Sequence, residues 1–151
     1  MLKVSKKLIY ALEAVVDIAY NIGPDPVRSR DITKRQGMPP RYLEQVMQRL
    51  VRDGILKGVR GPKGGYLLAR ERRRISIGEI ANIVRSLESS ENILKAEEES
   101  QFASLILNPL WDELQIDFEE KLKTITIEDL CRKAQNSGIK KTVTNSSDFS
   151  I

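Results

Sequence analysis

The chain has 151 residues, of which 40% are apolar and 30% charged, a composition that suits one compact domain or a small head with a helical extension and excludes a disordered chain. It holds one cysteine and no histidine, which excludes an internal disulfide, Ser-His-Asp and Cys-His catalysis, and histidine-held metals. The net charge of +4 conceals a segregation: residues 28–74 carry fourteen Lys and Arg against four acids, a balance of +10, whereas residues 75–135 carry six against thirteen, or −7.

A first helix is expected where Leu8, Leu12, Val15, Val16, Ala19 and Ile22 recur at helical spacing, with Ser5 as its N-cap and Gly23-Pro24 as its stop. Glu13 and Asp17 interrupt this apolar stretch, and no run of about 18 apolar residues occurs anywhere. The expectation is a cytoplasmic protein with no signal peptide and no membrane contact. Past the turn Pro24-Asp25-Pro26, Ser29 is expected to cap a short helix over residues 30–36 with Ile32 inward, ended by Gly37.

The next helix opens at Pro40, buries Leu43, Val46, Met47, Leu50 and Val51, and presents Arg41, Tyr42, Glu44, Gln45, Gln48, Arg49 and Arg52. Two short helices joined by a glycine turn, the second displaying long polar side chains, form the pattern of a helix-turn-helix. Asp53-Gly54 closes that helix. Residues 55–59 and 66–68 then read as two strands joined by Arg60-Gly61-Pro62-Lys63-Gly64-Gly65, a hairpin with cations at its tip. Helix, helix and hairpin together make a winged helix. The wing glycines allow close approach to a phosphate chain, and Arg60 and Lys63 suit a narrow, negative minor groove. The segment is no phosphate loop, since it lacks the Gly-Lys-Ser/Thr ending and joins strand to strand, and no enzymatic activity is expected.

Beyond the wing, Ser76 and Glu79 read as a capping box for a helix reaching about Leu87. The cluster Arg70, Arg72, Arg73 and Arg74 reads as a solvated edge with weak DNA contact. Residues 88–100 are acidic and poor in apolar groups, as in a loop or a frayed helix end. A longer helix is expected from Asn108-Pro109 with Leu110, Trp111, Leu114, Phe118, Leu122 and Ile125 at three-and-four spacing. Such a stripe either folds back on its own head or pairs with the same helix of a second subunit about a twofold axis; the latter makes the chain a homodimer. Thr126 with Asp129 caps a last short helix to about Gln135, and the Ser/Thr/Asn-rich remainder has little to bury. The organisation expected is a mainly α chain: a winged helix-turn-helix head of three helices and a two-stranded wing over residues 1–75, a helical linker and dimerisation region over 76–135, and a mobile tail over 136–151.

Three segments carry a resemblance: Arg41-Tyr42-Leu43-Glu44-Gln45, the wing Val59-Arg60-Gly61-Pro62-Lys63-Gly64-Gly65-Tyr66-Leu67-Leu68, and Ile77-Gly78-Glu79-Ile80. They resemble the Rrf2 family of bacterial transcription regulators over about residues 1–135, the wing being the most specific part. The resemblance implies a homodimer on a palindromic double-stranded operator, held by the long helix, with a recognition helix over 40–52 in the major groove and the wing over 60–65 at the minor groove. It implies that Glu44 reads a base edge, a role that fits a carboxylate accepting from cytosine N4, and that Arg60 probes the minor groove. The residues expected at DNA are Arg28, Ser29, Pro40, Arg41, Tyr42, Glu44, Gln45, Gln48, Arg49, Arg60, Lys63 and Gly64. Of these, Arg49 lies a turn or more beyond the helix N-terminus and suits a phosphate or surface contact, and Tyr42 either stacks on the head or touches a phosphate. The residues expected at the dimer seam are Leu110, Trp111, Leu114, Phe118 and Leu122. A winged helix that binds only protein through its basic surface is the alternative, and it would leave no footprint on DNA.

Sensor members of that family carry three closely spaced cysteines ahead of the dimerisation helix, because thiolates hold the iron of a cluster. Here residues 89–104 contain neither Cys nor His. No conventional cluster site, no metal site and no cofactor are expected. Cys131 reads as a small buried thiol, and Glu97, Glu98 and Glu99 as a solvated acidic run. The signal is left open between a regulatory protein partner, a metabolite and a metal held without cysteine.

Overall fold

The computed structural model describes residues 4–88 and 100–142. It is mainly helical, with a two-stranded antiparallel wing. Helix α1 (Lys6–Tyr20) opens where the Ser5 hydroxyl accepts from the Leu8 N–H at 3.2 Å, one of the donors that a helix start leaves unpaired. It ends at Asn21, earlier than the expected Gly23-Pro24 stop. Ile22 is therefore outside the apolar stripe and exposed.

Helix α2 (Ser29–Gln36) begins one residue earlier than its sequence suggests. Arg28 is its N-cap, without a side-chain cap bond, and Ser29 is the first helical residue rather than the cap. Ile32 faces the core, and Gly37 ends the helix in the left-handed conformation at φ 65°. Helix α3 (Pro40–Arg52) then buries Leu43, Val46, Met47 and Leu50, while Val51 stays exposed. Proline at its start loses nothing, because that N–H has no helical partner.

Strands β1 (Leu56–Val59) and β2 (Gly65–Leu68) pair from Leu56 against Leu68 to Val59 against Gly65. A third stretch joins them: Val27 exchanges backbone hydrogen bonds with Tyr66, at 2.9 and 2.7 Å. The sequence around Val27 reads only as a proline-rich turn, since a single bridging residue has no periodicity to reveal it.

Helix α4 (Ile77–Glu88) is capped by half of the expected box. The Ser76 hydroxyl accepts from the Glu79 N–H at 3.1 Å, but the Glu79 carboxylate turns to the Arg70 guanidinium, at 3.1 and 3.3 Å. Opposite charge outcompetes the neutral backbone donor here. Of the acidic stretch read as a loop or a frayed helix end, residues 89–99 lie outside the described residues. The long helix starts before Asn108: residues 101–123 are continuously helical, the Ser100 hydroxyl accepting from the Ala103 N–H at 3.1 Å. Residues Ala103–Leu107 form a π-turn leading into α5 (Asn108–Lys123), in which the Asn108 N–H reaches back to the Ala103 carbonyl. Pro109 explains the irregularity, because its ring would strike the carbonyl of Leu105 in a regular α-helix.

Helix α6 (Ile127–Asn136) has the full capping box of Thr126 and Asp129. The entries to α4 and α6 are tied to each other, Ile127 N–H to Ile75 O and Ile77 N–H to Ile125 O, both at 2.8 Å. One core results: Ile18, Ile32, Leu43, Met47 and Leu50 of the head share it with Ile75, Ile80, Val84, Ile127 and Cys131. The division expected at residue 75 thus has no matching break in packing. Residues 139–142 are fastened to α1, with the Tyr20 hydroxyl donating to the Ile139 carbonyl and the Thr142 N–H donating to Asn21 Oδ1 at 2.8 Å. Residues 143–151 lie outside the described residues.

Candidate nucleic-acid interface

Three elements contribute to one basic face. The N-terminal turn of α2 supplies Arg28, Ser29 and Arg30; the outward side of α3 supplies Arg41, Tyr42, Glu44, Gln45 and Gln48, all exposed; the wing tip supplies exposed Arg60 and Lys63. A cleft of about 670 Å³ between α2 and the wing is lined by Arg28, Ser29, Arg30, Arg60 and Gly64. A second, of about 360 Å³ where α2 meets α3, is lined by Ser29, Arg30, Pro40 and Glu44. Ser29 and Arg30 border both, so the two clefts are neighbours at the α2 N-terminus.

The wing tip needs its glycines. Gly61 has φ 117°, a conformation that side chains rarely adopt, and its carbonyl accepts from the Gly64 N–H at 2.9 Å to close the turn. A Cβ on Gly64 would lie 2.4 Å from the Val59 carbonyl oxygen. Arg28 reaches the tip from outside the wing, its Nη2 donating to the Pro62 carbonyl at 2.8 Å.

Not every expected residue stands free. Arg49 is paired with Asp53 at 3.0 Å, one helical turn on. Tyr42 is 44% exposed, with its ring tilted against Tyr10 at 6.3 Å and the Lys7 ammonium 5.8 Å from its centroid. The ring therefore leans on α1 while its edge remains at the surface. Within the arginine cluster, Arg70 engages Glu79, Arg73 engages Glu71, and Arg72 lies 3.8 Å from Glu128. Sequence reasoning passed over Arg30, Val27, Tyr10 and Lys7. A basic residue in a helix start is a signal for Arg30; the others take part through tertiary contacts alone.

Behind this face Asp17 is fully buried in α1 and accepts from Arg35 Nε at 2.9 Å, Arg35 Nη2 at 2.7 Å and Gln36 Nε2 at 2.8 Å. Its hydrogen bonds hold the Arg35 guanidinium above the usual arginine range despite partial burial. This bidentate clamp fixes α2 on α1.

Away from these residues, α5 packs against α4, with Arg85 and Glu119 paired at 2.7 Å. Gly78 makes the approach possible: a Cβ there would lie 2.8 Å from Lys123 Cγ and 3.0 Å from Lys123 N. Leu110, Trp111, Leu114 and Phe118 are left exposed at 37–44%, and Leu122 is half-buried. Phe102, Leu105, Ile106 and Leu107 extend the apolar surface along the same helix.

A profile of the Rrf2 family, described as an iron-dependent transcriptional regulator, matches residues 4–133. A transcriptional regulator of the helix-turn-helix type from Haemophilus influenzae is 36% identical over 132 residues, covering 87% of this chain and 88% of that protein. The regulator IscR of Escherichia coli is 41% identical over 83 residues, 55% of this chain and 51% of its own length. Among solved structures, IscR of T. potens superposes with a TM-score of 0.72 at 34% identity, covering 93% of both chains. CymR, the global cysteine regulator of B. subtilis, superposes with a TM-score of 0.68 at 30% identity, covering 88% of this chain and 98% of its own. These relatives are regulators, not enzymes. The donor set does not fit a cysteine-held iron cluster: the one cysteine, Cys131 of α6, is buried in the core, there is no histidine, and among the described residues no three His, Cys, Asp or Glu converge.

Proposed function

This chain belongs to the Rrf2 family of bacterial winged-helix transcriptional regulators, and on that premise we propose that it binds a palindromic operator as a homodimer, with α3 in the major groove and the wing tip at the minor groove. The observation that carries this reading is the continuity of the basic face, on which Ser29 and Arg30 join the outward side of α3 to the arginine-tipped wing. Cations clustered on one side of the molecule neutralise phosphates, and polar side chains on an exposed helix are free to meet base edges. Glu44 is the base reader, accepting from cytosine N4. Arg41, Gln45 and Gln48 flank it, Arg60 and Lys63 enter the minor groove, and Arg49 and Tyr42 serve phosphates.

The twofold partner is supported by the apolar side of α5. An exposed stripe with one Trp and one Phe is costly in water, and an identical stripe covers it most economically. Signalling does not pass through a cysteine-held cluster, for want of thiolates; a partner protein, a metabolite or a metal held without cysteine supplies it. Absorption spectra of anaerobically purified protein are expected to lack cluster bands.

Genomic footprinting of the tagged protein, followed by titration of a recovered duplex, tests the reading. Affinity is expected to fall about a thousandfold or more between 50 and 200 mM salt if roughly six to ten phosphates are neutralised. A protein that stays monomeric and ignores every duplex at low salt sinks it.

A further inference from the structure

Resting on the DNA-binding reading above, we propose that Arg28 is a wing-positioning residue: it holds the minor-groove tip at a fixed height over the recognition helix instead of contacting DNA itself. The side chain leaves the N-cap of α2 and crosses to the wing, where Nη2 donates to the Pro62 carbonyl at 2.8 Å. That carbonyl sits in the five-residue tip, beyond the last ladder pair of Val59 with Gly65. A two-stranded hairpin has little independent stability, and its tip has least. An anchor from the head is therefore worth more at the tip than at the base.

The backbone beside Arg28 fixes the base of the same hairpin. Val27 exchanges hydrogen bonds with Tyr66, and Gly65 lies so close that a Cβ would be 2.5 Å from the Val27 oxygen. Residues 27 and 28 thus grip β2 by backbone and the tip by side chain. The continuation of the chain is α2, which Asp17 clamps to α1 through Arg35. A rigid path runs from the core to Arg60, two residues from Pro62. Arginine suits the task, since its planar guanidinium stays charged and is weakly hydrated. The bond to the Pro62 carbonyl holds the guanidinium against the wing tip through Nη2.

Two arms test this. In the free protein, 15N relaxation of Arg28→Ala is expected to show lower order parameters at Gly61, Lys63 and Gly64, with Gly58 unchanged; an unaltered tip overturns the brace whether or not the protein binds DNA. In a double-mutant cycle on a footprinted duplex, Arg60→Ala is expected to cost about tenfold in affinity in the wild-type background and about threefold or less beside Arg28→Ala, because a loosened tip has already lost that contact. Additive losses, together with a salt slope reduced by about one unit for each subunit, overturn the proposal and make Arg28 a phosphate contact. Failure of the wild-type chain to bind any duplex refutes the DNA-binding premise alone, and the relaxation arm still decides the brace.

Discussion

Glu44 and Arg60 divide the work of recognition by their chemistry, and their substitutions are expected to differ accordingly. Glu44→Ala removes an acceptor that discriminates between bases, so selection of binding sites from a randomised pool is expected to relax at one position per half-site while affinity changes little. Arg60→Ala removes a cation from a groove of negative potential, and affinity is expected to fall with a smaller change in preference. Inside the head, the Asp17–Arg35 pair has unequal members: the Asp17 side chain is sealed, whereas that of Arg35 is 25% exposed. Losing Arg35 strands a buried carboxylate with Gln36 alone, but losing Asp17 leaves a guanidinium that can reach water. Arg35→Ala is expected to destabilise by about 2–4 kcal/mol and Asp17→Ala by less, as read from urea unfolding. The need for a buried acid in α1 is invisible in the sequence, where Asp17 looks like the residue that merely breaks an apolar run. Cys131 was legible by contrast, since a lone cysteine beside Leu130 in a capped helix suits a core position. Burial pushes its thiol up, against the lowering influence of Arg72.

At the level of elements, the caps were readable because they are local. Asp129 is held below its ordinary value of 3.8, chiefly by the Thr126 backbone N–H and next by the Thr126 side chain. A depressed folded-state pKa gives stabilisation that is present above the unfolded value and lost as pH falls through the folded one. The helicity contributed by α6 is therefore expected to weaken below about pH 4, a loss that Asp129→Asn makes independent of pH; Thr126→Ala is expected to cost about 1 kcal/mol near neutral pH. The box at Ser76 was misread since Glu79 has a competitor in Arg70, nine residues earlier, whose arrival depends on the path of the chain after the wing. Nothing beside Gly78 in the sequence gives a physical reason for a glycine there. The reason lies in α5: a methyl group at position 78 meets the stem and backbone of Lys123, and backbone does not yield easily. Gly78→Ala is expected to lower stability by about 1–2 kcal/mol net of its better helix propensity, measured by thermal unfolding.

For the whole molecule, the cations of α2, α3 and the wing lie on one set of elements and the exposed apolar stripe on another, α5. The two are not independent bodies. The paired entries of α4 and α6, and the burial of Ile127 and Cys131 in the head's core, join the α5 region to the recognition helix through packed side chains. The chain's single tryptophan, Trp111, reports on association because it lies on the stripe and is 44% exposed in one protomer. Its emission is expected to shift to the red on dilution as a dimer parts. Leu114→Asp is expected to produce that shift at all concentrations, with a sedimentation coefficient of a monomer and weakened operator binding. A spectrum that is independent of concentration, from a protein that remains monomeric, removes the twofold arrangement.

The amino-acid sequence alone determined the helix-turn-helix, the wing and the basic character of the first half, because each is written in periodicity, turn residues or charge within about a dozen neighbouring positions. It also determined that three thiolates cannot meet in this chain. Only the tertiary structure decided what joins distant segments: the Val27 bridge to the wing, the Arg28 reach to Pro62, the sealed Asp17 clamp, the close approach at Gly78 and the fusion of α6 into the head's core. Such contacts depend on which residues the folded path brings within a few ångströms, and no local pattern encodes that.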